Sequence, residues 1–353
     1  MDYRRELDDY VSNLSREGGS DLHLSEGRYP VIRVSGSLVP LIKKAVLTRE
    51  VIEGFMEVML TPENKKLFED NREADFSYTF KNGSRFRGNA YQRMGKYSIA
   101  LRLIPSRIRT LEELKLPKIL GDFTHRQQGF FLVVGPVGHG KTTTLAALIE
   151  LINSERAEHV ITVEDPVEYV FEPKKCIIDQ REVRTDTRDF GSGLMNMLRQ
   201  DVDVVMIGEM RGIEAMRTAV TAAETGHLLF STLHTNNAAQ SIDRIIDSFP
   251  AEQQTQVRLQ LSSSLLGVFS QRLIPRIAGG LVPAYELLIS NAAVANLIRE
   301  GRTHEISTVI ETGMDQGMID INRSLADLVR SGEISVDSAY QYSLNPKLLD
   351  RFL

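Results

Sequence analysis

Apolar residues recur at helical spacing in two segments of the first hundred residues, 4–17 and 48–60. In the second segment these positions are Val51, Ile52, Phe55, Met56 and Met59. Thr48 precedes them and is suited to cap the first turn of a helix. We therefore predict two amphipathic helices, and we expect the apolar stripe of the second to form core.

Short apolar or alternating runs bounded by Gly, Pro and Asn predict strands in the same region. Lys81-Asn82-Gly83-Ser84 has the residues of a hairpin turn between two such runs. Together with the helices, these strands predict a small α+β domain with an antiparallel sheet over roughly the first 105 residues. The expected strands are residues 21–24, 31–34, 38–42, 76–80, 85–91 and 98–104.

The pattern changes after Pro105, where a polar and basic stretch begins. Beyond Gly129, apolar strands alternate with helical segments, which is typical of βαβ units around a parallel sheet. We expect a first domain at 1–105, a linker at 106–120 and a second domain at 121–353, helical from about residue 291. The strongest strands of the second domain are residues 130–134, 159–164, 202–207 and 227–232.

Composition excludes several classes of protein. The chain has 353 residues, of which 42 are Lys or Arg and 47 are Asp or Glu, so its net charge of −5 does not favour a nucleic-acid surface. Its single cysteine, Cys176, excludes an intramolecular disulfide and a four-cysteine zinc site, and it fits a reducing compartment.

The N-terminus is charged and amphipathic, unlike a signal peptide, and no apolar run approaches the roughly 20 residues that span a bilayer. We therefore expect a cytoplasmic protein without a transmembrane segment. Any association with the inner face of the cytoplasmic membrane should then depend on a partner or on a surface contact.

A phosphate-binding loop follows the apolar strand 130–134 and precedes a helical run at 143–152. Its sequence matches the P-loop, or Walker A, pattern of Gly, four residues and Gly-Lys-Thr. Lys141 is expected to reach the β- and γ-phosphates of ATP, and the Thr142 hydroxyl is expected to join the Mg²⁺ shell. The nucleotide-binding residues are then Gly135, Pro136, Val137, Gly138, His139, Gly140, Lys141, Thr142 and Thr143.

Acidic residues follow two later strands, whose carboxyl ends should lie at the same sheet edge as the P-loop. Glu209 follows one of them, and Glu164, Asp165 and Glu168 follow the other. Carboxylates there can hold Mg²⁺, directly or through water, and can orient the attacking water. Glu209 is the first candidate for activating or orienting this water, and Glu164 is the second. The alternative for each is a solvated carboxylate that caps a strand or a helix. Asp165 and Glu168 could simply brace the loop.

Two histidines, His227 and His234, flank one predicted strand. Seven extended residues separate them by roughly 20 Å, so they cannot ligate one metal ion. A structural hydrogen bond is the ordinary role for either one. At a strand end beside the nucleotide, however, His234 could sense the γ-phosphate.

Four segments in this order resemble the secretion ATPase superfamily: the P-loop, an aspartate-rich box at 161–169, a Walker B segment at 208–211 and a histidine box at 225–235. The similarity covers essentially the whole chain and is specific to the type IV pilus retraction ATPases. The further segments that carry it are Ser20–Leu24, Phe86-Arg87, Leu114–Pro117, Gln180–Val183, Thr221–His227 and Ser248–Pro250.

This resemblance implies a PAS-like N-terminal domain, a RecA-like ATPase domain and a homohexameric ring with ATP at the subunit contacts. It implies an inner-membrane platform protein as partner, and pilus retraction and twitching motility as function. It also implies that Arg87 and Arg102 contact phosphate and that His227 belongs to the nucleotide site.

The chain departs from the retraction ATPases at four positions. Val137 and His139 replace small polar residues of the P-loop, and Gly212 replaces an acidic residue. Ala295 replaces the first arginine of the C-terminal motif, here Ala293–Glu300. Because Lys141 and the acidic residues remain, hydrolysis should survive, but its rate could differ.

Three alternatives remain open. A pilus assembly or type II secretion ATPase usually has a longer N-terminal region and a four-cysteine motif. A nucleic-acid-stimulated translocase would need a basic and aromatic surface. A regulatory ring component would retain the fold but lack ATP turnover.

Overall fold

A computed structural model describes residues 2–34, 36–105, 107–210 and 212–353. Met1, Ser35, Ser106 and Arg211 lie outside the described residues, so parts of the predicted linker and Walker B segment do as well. The chain divides into two compact units. The first contains the residues up to Arg107 together with Pro166–Val170, and the second contains Ile108–Asp165 and Phe171–Leu353.

The described residues of the first unit form an antiparallel sheet and three helices. Its helices are α1 (Tyr3–Arg16), α2 (Arg49–Met59) and α3 (Pro62–Asn71). Its strands are β1 (Gly19–Ser25), β2 (Val31–Val34), β3 (Ser37–Pro40), β4 (Glu73–Thr79), β5 (Arg85–Arg93) and β6 (Lys96–Leu103). They pair antiparallel in the order β3-β2-β1-β6-β5-β4, which confirms the predicted antiparallel sheet.

Both predicted helices of this unit are confirmed. The Thr48 hydroxyl accepts a hydrogen bond from the Val51 N–H at 3.4 Å, which caps α2, and Phe55 on its apolar stripe is fully buried. The sequence prediction missed α3, because only Asn64 and Phe68 of its ten residues are buried. Thr61 caps it and Pro62 opens its first turn, and both are helix-start signals.

The second unit surrounds a seven-stranded sheet. Its strands are β7 (Gly129–Val134), β8 (His159–Glu164), β9 (Ile177–Glu182), β10 (Val204–Ile207), β11 (Leu228–Leu233), β12 (Leu265–Pro275) and β13 (Leu281–Ile289). They lie in the order β13-β12-β7-β11-β10-β8-β9. All neighbours are parallel except β12 and β13, which form an antiparallel hairpin at the edge.

Helices connect and cover these strands. They are α4 (Leu120–Thr124), α5 (Lys141–Glu155), α6 (Phe190–Met197), α7 (Ile213–Glu224), α8 (Ala238–Asp247) and α9 (Ala251–Ser264). The β7, β10 and β11 residues that form the sheet centre are buried throughout, as expected of parallel strands covered on both faces. The four predicted strands of this unit are confirmed to within two residues.

The chain after Asn291 is helical, as predicted. Its α-helices are α10 (Ala292–Glu300), α11 (Ile306–Thr312), α12 (Ile321–Arg330), α13 (Val336–Tyr342) and α14 (Pro346–Asp350). The last three pack their apolar side chains against the β12–β13 hairpin. Across the described part of the chain, no helix is both long and apolar enough to cross a membrane.

Since helices connect and cover its β-sheets, the chain has a mixed α/β fold.

Glu286 on β13 is a buried carboxyl group that ties the hairpin to α8. Its Oε1 accepts a hydrogen bond from the Ala238 N–H at 2.8 Å, at the first residue of α8. Burial raises the pKa of Glu286 to about 7, although this hydrogen bond and the charge of Arg272 oppose the shift. Folding therefore favours the protonated form of Glu286 relative to the unfolded chain.

We expect this group to make the stability of the protein pH-dependent. Because its folded pKa lies above the unfolded value, its stabilising contribution is complete below about pH 4.5 and is lost as the pH rises through about 7. The loss is on the order of 3 kcal/mol. Glu286→Gln cannot ionise but can still accept from Ala238, so it should be more stable than the wild type at pH 8. Urea unfolding of both proteins between pH 5 and 8 measures the difference.

Glu311→Gln, at an exposed position on α11, is the matched control and should leave the pH dependence unchanged. Parallel stability curves for wild type and Glu286→Gln would contradict the assignment.

Candidate functional site

The P-loop leaves β7 at Gly135 and enters α5 at Lys141. A Cβ atom at Gly135 would lie 2.3 Å from the main-chain oxygen of Gln271 on β12, so only glycine fits there. Gly140 has φ of 80° and caps α5, a conformation that favours glycine. The sequence pattern is therefore explained by the turn and by the closeness of β12.

The tip of the loop is open on one side. Val137 is 79% exposed, and Gly138 beside it is exposed as well. His139 is half-buried, and Thr142 and Thr143 are half-buried in the first turn of α5. The N–H groups of this turn lie at the positive end of the helix, which favours binding of phosphate.

Lys141 is buried and held by the loop itself. Its Nζ donates to the carbonyl oxygens of Gly135 at 2.8 Å and Pro136 at 2.9 Å. Nζ also lies 3.1 Å from Nδ1 of His234. Because the ammonium group can only donate, His234 Nδ1 is the acceptor and the imidazole proton lies on Nε2.

His234 connects the lysine to an acidic residue. Its Nε2 lies 3.2 Å from Oε1 of Glu209, so the imidazole is in direct polar contact with the carboxylate. Lys141, His234 and Glu209 thus form a continuous series of polar contacts beside the P-loop. The arrangement can pass a change at Lys141 to the carboxylate.

Sheet topology explains why these residues meet. The strands β7, β11, β10 and β8 are neighbours and parallel, so the P-loop, His234, Glu209 and Glu164 all follow carboxyl ends at one edge. The Thr232 hydroxyl donates to the Gly208 carbonyl at 2.7 Å. This bond fixes the residue before Glu209 against the strand that carries His234.

Glu164 is only 2% exposed and its carboxylate is oriented by two polar neighbours. Its Oε1 accepts from the Thr162 hydroxyl at 2.7 Å and from the Gln180 amide at 3.1 Å. The sequence analysis did not identify Thr162 or Gln180 as orienting residues. Thr162 was recognisable in principle, because it is polar within an apolar strand and lies on the same face as Glu164.

His227 lies at the opposite end of the parallel strands from the P-loop. It precedes β11, whose Leu228 pairs with Gly129 at the start of β7, whereas the P-loop follows the end of β7. Six extended residues separate these edges by roughly 20 Å. His227 Nδ1 donates to the Ala222 carbonyl at 3.0 Å, which is a structural role at the end of α7. Within one chain, His227 is therefore not brought to the P-loop.

The two strand arginines lie in the first unit, where they are directly paired neighbours on β5 and β6. Arg102 Nε donates to Asp21 Oδ1 at 2.9 Å, yet the Arg102 side chain is 74% exposed. Burial would raise the pKa of Asp21, but hydrogen bonds from Ser20 and Arg102 outweigh it and hold the pKa below its usual value. Arg87 NH1 lies 3.4 Å from Glu168 Oε1, which belongs to the same unit.

The remaining acidic residue of the aspartate-rich box has a bracing contact. Asp165 Oδ2 lies 3.7 Å from Arg184. Gly212, which follows the Walker B segment, has φ of 83° and precedes α7. A glycine at this position suits this backbone conformation.

Comparison with known proteins places the chain in a family. The family described as "Type II/IV secretion system protein" matches residues 3–312. The "Type IV pilus retractation ATPase PilT" of Pseudomonas aeruginosa is 42% identical over 333 residues, 94% of this chain and 96% of that protein. The "Twitching motility protein" of Neisseria gonorrhoeae is 42% identical over 90% of this chain and 84% of its own length.

A solved structure agrees with these relatives. The crystal structure of "the Pilus Retraction Motor PilT and Bound ADP" has a TM-score of 0.90 and 41% identity, and the match covers 97% of this chain and 98% of that one. The family match and these relatives extend across both units, from the first strands to the C-terminal helices. The chain belongs to the type II/IV secretion system protein family.

Proposed function

We propose that this chain is an ATP-hydrolysing motor that powers type IV pilus retraction and twitching motility. The observation that carries the proposal is the series Lys141, His234 and Glu209, which joins the P-loop to a carboxylate. Relatives named for pilus retraction and twitching match nearly the whole chain, so the resemblance is not confined to the nucleotide-binding segment.

In this proposal, the P-loop residues 135–143 bind the phosphates of ATP through main-chain N–H groups and Lys141. Glu209 accepts a proton from the water that attacks the γ-phosphorus, and the bond from that phosphorus to the β–γ bridging oxygen breaks. The products are ADP and phosphate. His234 holds Glu209 in place and responds to the γ-phosphate through Lys141.

The donor set also fits Mg²⁺. Thr142 supplies a hydroxyl at the first turn of α5, and Glu164 supplies a carboxylate held by Thr162 and Gln180. When bound, Mg²⁺ neutralises charge on the β- and γ-phosphates. We assign Thr142 to its inner shell, and Glu164 and Glu209 to contacts through water.

Arg87 and Arg102 are proposed to contact phosphate, because a guanidinium remains charged and can bind two oxygens at once. Their contacts with Glu168 and Asp21 would then exchange for phosphate contacts. His227 is retained only as a proposed contact to the nucleotide of a neighbouring subunit, since its own P-loop is at the other sheet edge.

We further propose the domain assignment and assembly that the resemblance implies. Residues 1–105 form a PAS-like domain, 106–120 a linker and 121–353 a RecA-like domain that ends in the C-terminal helices. Six copies form a ring with ATP at the subunit contacts. The ring works in the cytoplasm, at the inner face of the membrane, on a platform protein of the pilus machine.

Deletion of the gene in its host tests the function. We expect excess surface pili and loss of twitching, because pili would still assemble but would not retract. Surface pili are counted by electron microscopy and twitching is measured as colony spreading. Complementation with the wild-type gene should restore both, whereas Lys141→Ala should not. Absent pili would instead mean an assembly ATPase, and unchanged pili and spreading would contradict a role in this machine.

A further inference from the structure

The β12 strand runs directly beside the P-loop. Ser270 on β12 pairs with Val134, the last residue of β7, so Gln271 lies next to Gly135. This closeness is what excludes a side chain at Gly135. The entrance to the P-loop is therefore packed against the main chain of β12.

The Gln271 side chain, 3% exposed, joins both sides of the loop. Its Nε2 donates to the main-chain oxygen of His139 at 2.9 Å, and its Oε1 accepts from the Thr144 hydroxyl at 2.6 Å. One buried amide thus connects the tip of the loop to the first turn of α5. Loss of either bond would leave a buried polar group without its partner, which is costly.

The side chain of His139 makes a second connection to the same strand. Its Nδ1 accepts from the Leu273 N–H at 2.9 Å, so the ring proton lies on Nε2. Burial, and then the charges of Arg272 and Lys141, lower the pKa of His139 and favour this neutral form.

The His139 ring also meets the C-terminal helices. It stands edge to face with the ring of Tyr342 on α13, with centroids 6.5 Å apart. Tyr342 packs with the apolar cluster that α12, α13 and α14 form on the β12–β13 hairpin. The P-loop, β12 and the C-terminal helices are therefore in continuous contact.

We propose that Gln271 and His139 are positioning residues that fix the P-loop on β12, and that Tyr342 couples the C-terminal helices to nucleotide affinity. This inference rests on the proposed nucleotide site. It assigns a role to the His139 side chain, whereas the sequence analysis included His139 among the nucleotide-binding residues and identified it as a departure from the P-loop pattern. A change in the packing of Tyr342 would move the His139 ring and, through it, the loop that binds phosphate.

A pair of amide variants in the full chain, each of which replaces one ring nitrogen, tests the role of His139. The Asn side-chain oxygen can occupy the place of Nδ1, whereas Gln extends toward the place of Nε2. We expect His139→Gln to raise the dissociation constant for a fluorescent ADP analogue about fivefold, the effect of one neutral hydrogen bond. His139→Asn should remain within about twofold of the wild type. Equal affinities of the two variants would overturn the inference.

Gln271→Met and Gln271→Glu test the amide. Met removes both hydrogen bonds at similar volume, while Glu keeps the acceptor for Thr144 and loses the donor to His139. Both should raise KM more than they lower kcat, because positioning acts on phosphate binding. Thermal unfolding without nucleotide identifies a variant that fails to fold. The KM of the variant that does fold then tests the role of Gln271. Wild-type KM in the folded variants would overturn the role of Gln271.

Tyr342→Leu, with Tyr340→Leu on the same helix as control, tests the coupling. We expect Tyr342→Leu to raise KM about twofold to threefold, the effect of losing one aromatic contact, with no change in the control. An unchanged KM in Tyr342→Leu would overturn the coupling. If the wild type itself bound no ADP analogue, the proposed function would fail, and that result is distinct from equal behaviour of the variants.

Discussion

Lys141→Ala should abolish ATP turnover and weaken ADP binding by about a hundredfold or more. The lysine is buried at the start of α5, and its ammonium donates to two loop carbonyl oxygens and to His234. A charge-assisted hydrogen bond contributes about 1.5–3 kcal/mol, and the lysine can offer more than one to phosphate. Phosphate release measures turnover, and fluorescence of an ADP analogue measures binding.

Lys347→Ala, at an exposed position on α14, is the control for loss of a lysine and should behave as the wild type. Size-exclusion chromatography should show the same oligomer for both variants, because Lys141 is buried and its ammonium donates to carbonyl oxygens of its own loop and to His234. More than one-tenth of wild-type turnover in Lys141→Ala would contradict its role at phosphate. No turnover in the wild type would indicate a regulatory subunit.

The pattern of apolar residues predicted the helices and strands whose own sequence carries a clear apolar run or stripe. The central parallel strands are continuous apolar runs, and α2 has a cap and an apolar stripe, so each could be identified without tertiary information. The edge strand β9 was missed because its exposed and half-buried residues include Asp179, Gln180 and Arg181. A polar edge strand has no apolar pattern from which to predict it.

The β12–β13 hairpin was missed for another reason. Helix α9 ends at Ser264 and β12 begins at Leu265, so no Gly or Pro marks the change from helix to strand. The sequence therefore predicted a parallel sheet without this antiparallel edge. Because β12 supplies the contacts to the P-loop, the error concealed part of the site.

The sequence predicted the site residues that directly follow a recognisable strand, but not the contacts between residues far apart along the chain. The carboxyl ends of the parallel strands indicated Glu164, Glu209 and His234, and the structure gathers them at one edge. The partner of His139, by contrast, is Leu273, 134 residues further along the chain. His227 was assigned to the nucleotide through the histidine box, but strand direction places it at the far edge of its own sheet.

Glu209→Gln should lower turnover by about a hundredfold or more while ADP affinity stays within about threefold of the wild type. The side-chain oxygen of glutamine can still contact His234 Nε2, so the series of polar contacts to Lys141 is retained. It cannot take a proton from water near neutral pH. The same phosphate-release and ADP-binding measurements then separate this variant, which loses chemistry, from Lys141→Ala, which also loses binding.

Glu214→Gln is the matched control, since this glutamate is exposed in the first turn of α7 just after the Walker B segment. It should hydrolyse ATP as the wild type does. Unchanged turnover in Glu209→Gln would remove Glu209 from the catalytic role and leave Glu164 as the remaining carboxylate. Glu164→Gln would then lose turnover, because Thr162 and Gln180 already orient that carboxylate at the same sheet edge. Comparison of the two glutamine variants therefore identifies which strand supplies the catalytic base.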